Sequence, residues 1–162
     1  MSAKIEIIDV EKQDNMQIII GHAGFIKTAE DLYEAMKNSV PGVKFGLAFA
    51  EASGSRLVRS EGNDDELKSL AEKNTLKIAS GHTFVIIFRD AYPINVVKSI
   101  RDVPEVAEIY CATANPVKVI RVSDVSGSAI IGIIDGANAV GIESDSEREQ
   151  RRKMLRDIGY KM

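Results

Sequence analysis

The stretch ASGHTFVIIFRD, residues 79–90, decides how this chain folds. Phe84 to Phe88 is an unbroken apolar run, far too short to cross a bilayer, bounded by Ser80-Gly81 on one side and Arg89-Asp90 on the other. It reads as a buried β-strand. His82 stands at the mouth of that strand and is one of only two histidines in the chain.

Working outward from this strand, the apolar period changes from segment to segment. KIEIID (4–9) alternates apolar and polar residues, and MQIIIG (16–21) follows the polar turn EKQDN, so two strands open the fold. In KTAEDLYEAMKNSV, Leu32, Tyr33, Met36 and Val40 recur at helical spacing, which predicts a helix over 29–39. Thr28 followed by Asp31 resembles a capping box with a shortened acidic partner. A Pro-Gly turn leads into an apolar strand over 44–50, a loop over 51–55, and a short return strand in RLVRSEG. Asn63 is the expected N-cap of a second helix, with Leu67, Leu70 and Ala71 on its apolar face and its end near Asn74.

Beyond residue 90, Pro93 sits where the first turn of a helix tolerates it, and Ile94, Val97 and Ile100 or Arg101 trace a short third helix. EVAEIYCA and VKVIRVS read as strands flanking the loop TANP, and SAIIGIIDG as another. The charged segment SDSEREQRRKMLRDIGYKM predicts a last helix capped by Ser146, with Leu155 and Ile158 on its buried side. Helices interleaved with more strands than βαβ alternation requires predict an α/β fold of mixed α+β character. The expected form is a single compact domain over residues 1–162, a mixed β-sheet with about four helices packed on it.

Composition removes several functional classes. The chain has 162 residues and a net charge of −3 from 21 basic and 24 acidic residues. These are well mixed, so no broad basic field exists to hold nucleic acid. No apolar run is long enough for a membrane span, and the first residues lack the apolar core of a signal peptide, so a cytoplasmic protein is expected. The one cysteine, Cys111, has no internal disulfide partner and belongs to no zinc pattern, which predicts a reduced, buried thiol. The phosphate-cradling G-x-x-x-x-G-K-[ST] loop, the G-x-G-x-x-G fingerprint, the serine nucleophile elbow and the H-E-x-x-H helix are all absent.

The remaining chemistry lies in small polar groups. His82 is either a strand-end histidine with both nitrogens satisfied or a nucleophile able to hold a phosphoryl group. For the second reading Ser80 and Thr83 offer hydroxyls and Gly81 permits close approach of a backbone amide. Lys27 and Thr28 begin a helix, where free amides and the positive end of the macrodipole attract anions; the alternative is an ordinary capped start with a solvated lysine. His22 reads as structural or exposed. Glu51 and Ser53 follow one apolar strand, Thr113 and Asn115 another, and polar residues gathered at strand ends are how a sheet presents a binding site. Asn115 can read a purine edge or merely form a turn with Pro116. Phe25 and Tyr92 can stack on a base. Asp135 is a strand-end carboxylate for a ribose or a metal, or the first residue of a turn.

Taken together, GHAGFIKTAEDLYEAM, KFGLAFAEASGSRLVR, EGNDDEL, SGHTFVI, YPINVV, EIYCATANP, DGANAVGIE and the terminal LRDIGYKM, in this order, resemble the prokaryotic adenosine-specific kinase family over nearly the whole chain. The resemblance implies binding of adenosine and AMP and a stable phosphohistidine from which a phosphotransferase role follows. It also implies a homo-oligomer, a trimer favoured. Gly81 and His82 match the family's Gly-His ahead of its apolar strand, which makes His82 the expected phosphorylated residue. One departure is Gly24, where the family has a histidine beside the phenylalanine and this chain has its histidine at His22.

On this reading His82 attacks an unknown phosphoryl donor while Lys27, Thr28, Ser80, Gly81 and Thr83 hold the phosphoryl oxygens. Adenosine, bound by Phe25, Ser53, Tyr92, Thr113 and Asn115, accepts the group with Glu51 or Asp135 as general base. No cofactor is written into the sequence. Mg²⁺ is the ion such a transfer would call on. The alternative is a sensing module that binds adenosine or AMP without turnover and whose histidine phosphorylation is regulatory.

Overall fold

In the computed structural model, which describes residues 2–162, the continuous apolar run becomes the middle strand of a five-stranded sheet. In chain order the elements are β1 (Lys4–Asp9), β2 (Gln17–Ala23), α1 (Thr28–Ser39), β3 (Lys44–Ala50), β4 (Val58–Gly62), α2 (Asp65–Ile78), β5 (Thr83–Arg89), α3 (Pro93–Arg101), β6 (Val106–Thr113), β7 (Val117–Ser123), β8 (Ser128–Asp135) and α4 (Asp145–Asp157). The large sheet has the order β4-β3-β5-β2-β6, and a smaller one has the order β1-β7-β8.

Both faces of β5 are covered, which is why its sequence does not alternate. Phe84, Ile86 and Phe88 pack with Leu32 and Met36 of α1 and Val96 and Ile100 of α3. Val85 and Ile87 point the other way, against Leu67 and Ile78 of α2 and against Ile8, Val117, Val119 and Ile130 of the small sheet. The molecule is therefore layered as helices, large sheet, then small sheet with α2. The α+β class and the four helices match the expectation from sequence. The strands differ in one respect: they form two sheets, and every pairing in both is antiparallel. A strand covered on both faces reads as apolar throughout whatever its direction, so the sequence carried no sign of strand polarity.

Several element ends also move. The N-cap of α2 is Asp64, whose side chain accepts from the Leu67 amide at 3.1 Å. The neighbouring Asn63 instead accepts from the Phe45 amide and donates to the Val43 carbonyl, tying β3 to the start of the helix. The helix runs on to Ile78 because Asn74 is buried with partners across the chain, the Glu11 amide and carbonyl. In α3 the buried residues are Val96 and Ile100, while Ile94 is exposed. The cap of α4 is Ser144, and no residue of that helix is buried; Leu155 is half-buried and Ile158 exposed. So three of the four helices pack on the body. Thr28 forms no capping box; it is fully buried and its hydroxyl has no partner. Cys111 is a buried free thiol. No helix among the described residues is long and apolar enough to cross a membrane.

Candidate functional site at one end of the large sheet

Because β5 runs opposite to both β2 and β3, the start of β5 lies beside the ends of the other two. His22 of β2 pairs with Thr83, and Phe49 of β3 pairs with Phe84. Three connections therefore converge at one end: residues 24–27, residues 51–57, and the approach to β5 that carries His82. Its backbone is left-handed, with φ of 63°, a conformation that costs a non-glycine residue about 1–2 kcal/mol. Two main-chain bonds hold it there. The His82 amide donates to the Ala50 carbonyl at 2.7 Å, and the His82 carbonyl accepts from the Ala23 amide at 2.9 Å.

The ring that this strained backbone projects is half-buried. It stacks on Phe49 with centroids 6.0 Å apart and planes at 15°, and it lies 5.7 Å from the ring of His22. It lines a cavity of 270 Å³ together with Gly24, Phe25, Ile26, Phe49, Glu51, Ala52 and Ser53. Phe25 and Ser53 are exposed, so the cavity offers an open aromatic face and a hydroxyl next to an imidazole. Gly81 is required for the loops to meet, since a Cβ there would stand 2.8 Å from the Cβ of Ala52.

Other expected residues are in the neighbourhood but either engaged by partners or buried. Glu51 accepts from the Leu57 amide and from Arg59 Nε, each at 2.9 Å. The Leu57 amide first and the Arg59 guanidinium second hold its carboxyl below the usual range, which makes it a weak base. Lys27 bridges Asp31 at 2.7 Å and the nearly buried Glu105 at 2.5 Å, and these carboxylates raise its ammonium above the usual lysine range. Thr28 and Thr83 are buried. Ser80 is buried too, its hydroxyl 3.3 Å from that of Ser128.

Tyr92, Thr113, Asn115 and Asp135 lie elsewhere. Tyr92 follows β5 at the end of the sheet away from His82, and Thr113 pairs with Ile18, four residues back along β2 from His22, which is about 13 Å at strand spacing. There Asp135 accepts from the Thr113 hydroxyl at 2.8 Å and from the Asn115 amide group at 3.0 Å, a lock that joins β6 to β8. Within one chain these residues do not meet His82. Sequence reasoning passed over Phe49, Ala52 and Arg59. The first had a usable signal, an aromatic residue two positions ahead of a strand-end carboxylate. Among the described residues no three His, Cys, Asp or Glu side chains are grouped to hold a metal ion.

The crystal structure of the PH1918 protein from Pyrococcus horikoshii OT3 is 46% identical, with a TM-score of 0.96 and 99% of each chain covered. No curated protein matches the chain. The model of the family described as adenosine specific kinase matches residues 8–161. With nearly every residue inside that match, the chain belongs to the adenosine-specific kinase family.

Proposed function

We propose that this protein phosphorylates adenosine in two steps, with His82 carrying the phosphoryl group between them. The observation that carries this reading is His82 itself. Its backbone is held in a left-handed conformation that presents the ring to a cavity already furnished with an aromatic face, Phe25, and a hydroxyl, Ser53. Strain of this kind persists where the surrounding structure enforces it, and it concentrates at functional sites.

In the first step a deprotonated imidazole nitrogen of His82 attacks phosphorus, the bond from phosphorus to the donor's leaving group breaks, and the leaving group departs with the electron pair. In the second step a hydroxyl of adenosine attacks the same phosphorus. The N–P bond breaks as the O–P bond forms in line with it, the hydroxyl proton passes to Glu51 on the cavity wall or to water, the departing nitrogen is reprotonated from solvent, and AMP leaves. Glu51 is a weak base because Leu57 and Arg59 hold its carboxyl down, and through the same two partners it fixes the 51–57 loop. Phe25 stacks on the adenine and Ser53 meets the ribose. Donor identity aside, the reading includes AMP as a bound product, a cytoplasmic setting and a homo-oligomer, a trimer by preference. The exposed α4 supports the last point.

A second reading, a sensor that binds adenosine or AMP without turnover, is favoured by one observation. Two cations of the connections around the cavity are already neutralised, Lys27 by Asp31 and Glu105 and Arg59 by Glu51.

Intact-mass measurement on freshly purified protein separates the two. The expected result is an acid-labile addition of one phosphoryl group on wild type at neutral pH, absent from His82→Ala, and lost on adding adenosine as AMP appears. A wild type that keeps its phosphoryl group in the presence of bound adenosine supports the sensor. Equal modification of His82→Ala moves the site to His22 and overturns the assignment.

A further inference from the structure

A second cavity, of 440 Å³, adjoins the histidine pocket and shares Glu51 and Ala52 with it as a common wall. Gly81 faces this cavity where His82 faces the other. Its remaining polar lining is Arg56, Thr75, Ser80, Ser126 and Ser128. We propose that this cavity is a binding site for a small phosphate monoester, with Arg56 as its charge partner.

Charge supplies the first argument. Arg59 and Arg121 nearby are each paired with a carboxylate, Glu51 and Glu6 respectively. Arg56, exposed and held at φ of 52°, forms no ion pair among the described residues. With Glu51 neutralised by Arg59, the uncompensated charge on this wall is positive. A guanidinium fork matches the oxygens of a phosphate.

Unused hydrogen-bonding capacity supplies the second. Thr75 is completely buried in the wall and its hydroxyl has no partner. Ser80 is 2% exposed and makes only the long 3.3 Å contact with Ser128. A buried hydroxyl left without a partner, as at Thr75, is uncommon in folded proteins and calls for a partner that the chain itself does not supply.

The end of α2 also lines the cavity, and a helix C-terminus repels anions. Here its carbonyls are already engaged. The Ala79 amide donates to the Thr75 carbonyl at 2.9 Å, Arg121 to that of Ile78 at 2.8 Å, and the Ser128 hydroxyl to that of Ala79 at 2.6 Å. Val58 and the exposed Leu76 give the cavity an apolar side, suited to the carbon skeleton of an ester rather than to a bare ion.

The site is separate from the proposed chemistry, because binding there requires no phosphorylation of His82. Calorimetric titration of the intact protein with inorganic phosphate and with phenyl phosphate tests it. Expected are saturable binding of both with the ester tighter, an affinity at least tenfold lower in Arg56→Gln and several-fold lower in Thr75→Val, and no change in His82→Ala. Thermal melting of each variant establishes that it is folded. Absence of saturable binding, or binding lost in His82→Ala and kept in Arg56→Gln, overturns the proposal. Neither outcome alters the intact-mass result at His82, so the two failures are told apart.

Discussion

At the scale of single residues, the environment of a side chain decides whether it reacts. His82 and Cys111 are both nucleophiles by type, yet the fold treats them oppositely. The imidazole borders a cavity, whereas the thiol lies under the small sheet with Ile20 and Val117 in the same cluster. Burial pushes the Cys111 thiol up to about 12, so at pH 8 it stays protonated and out of reach of reagents. Native protein treated with iodoacetamide at that pH is expected to remain unlabelled over the time in which urea-unfolded protein takes up one equivalent. Labelling of the native form at the rate of a free thiol would mean that the small sheet opens readily.

Pairings between elements are where charge and close approach become stability. On β1, Glu6 faces Arg121 of β7 in register and bonds it at 2.6 Å, with Lys4 at 2.7 Å on the same strand. Lys4 first and Arg121 second hold the Glu6 carboxyl down at about 2 against an ordinary 4.5. A depressed carboxylate adds stability that is fully present above its unfolded value and is lost as pH falls through the folded one. Part of the acid loss between about pH 4.5 and 2 therefore belongs to Glu6. Urea midpoints followed across that range should fall less steeply in Glu6→Gln than in wild type.

The contact of β3 with α2 is tighter still. A Cβ on Gly46 would stand 2.0 Å from the backbone nitrogen of Lys68, and backbone cannot swing aside as a side chain does. Gly46→Ala should cost about 3 kcal/mol in urea unfolding, the upper range for overpacking, by lifting α2 from the sheet. A loss below about 1 kcal/mol would mean the helix yields.

The whole molecule leaves apolar surface without a partner. Ile5, Ile7, Ile131 and Ile134 are exposed on the small sheet, Val140 and Ile142 in the segment before α4, and Met154 on α4 itself. A helix of 13 residues is marginal in water without tertiary packing. If second copies cover these surfaces, light scattering should give a trimer for the full chain and a smaller species for a chain ending at residue 136. An unchanged mass after truncation would place the subunit contacts elsewhere.

The strand and helix types, the apolar faces of α1 and α2, and the separate positions of Glu51, Ser53 and His82 beside strand ends were legible in the sequence, because periodicity and turn residues are local signals. The cap at Asp64 rather than Asn63 was not legible, since adjacent residues of equal capping ability are separated only by what else each one bonds. Nor was the occupation of Lys27, whose partner Glu105 is distant in the chain and arrives with β6.

What the sequence alone determined is the class of the fold, its family, and the histidine to ask about. Only the tertiary structure decided which strand ends meet. In an antiparallel sheet alternate strands end on opposite edges, so the residues after β2 and β3 join His82, while Tyr92 after β5 and Thr113 at the end of β6 lie at the far side. Strand direction comes from pairing between distant segments, and no local pattern records it.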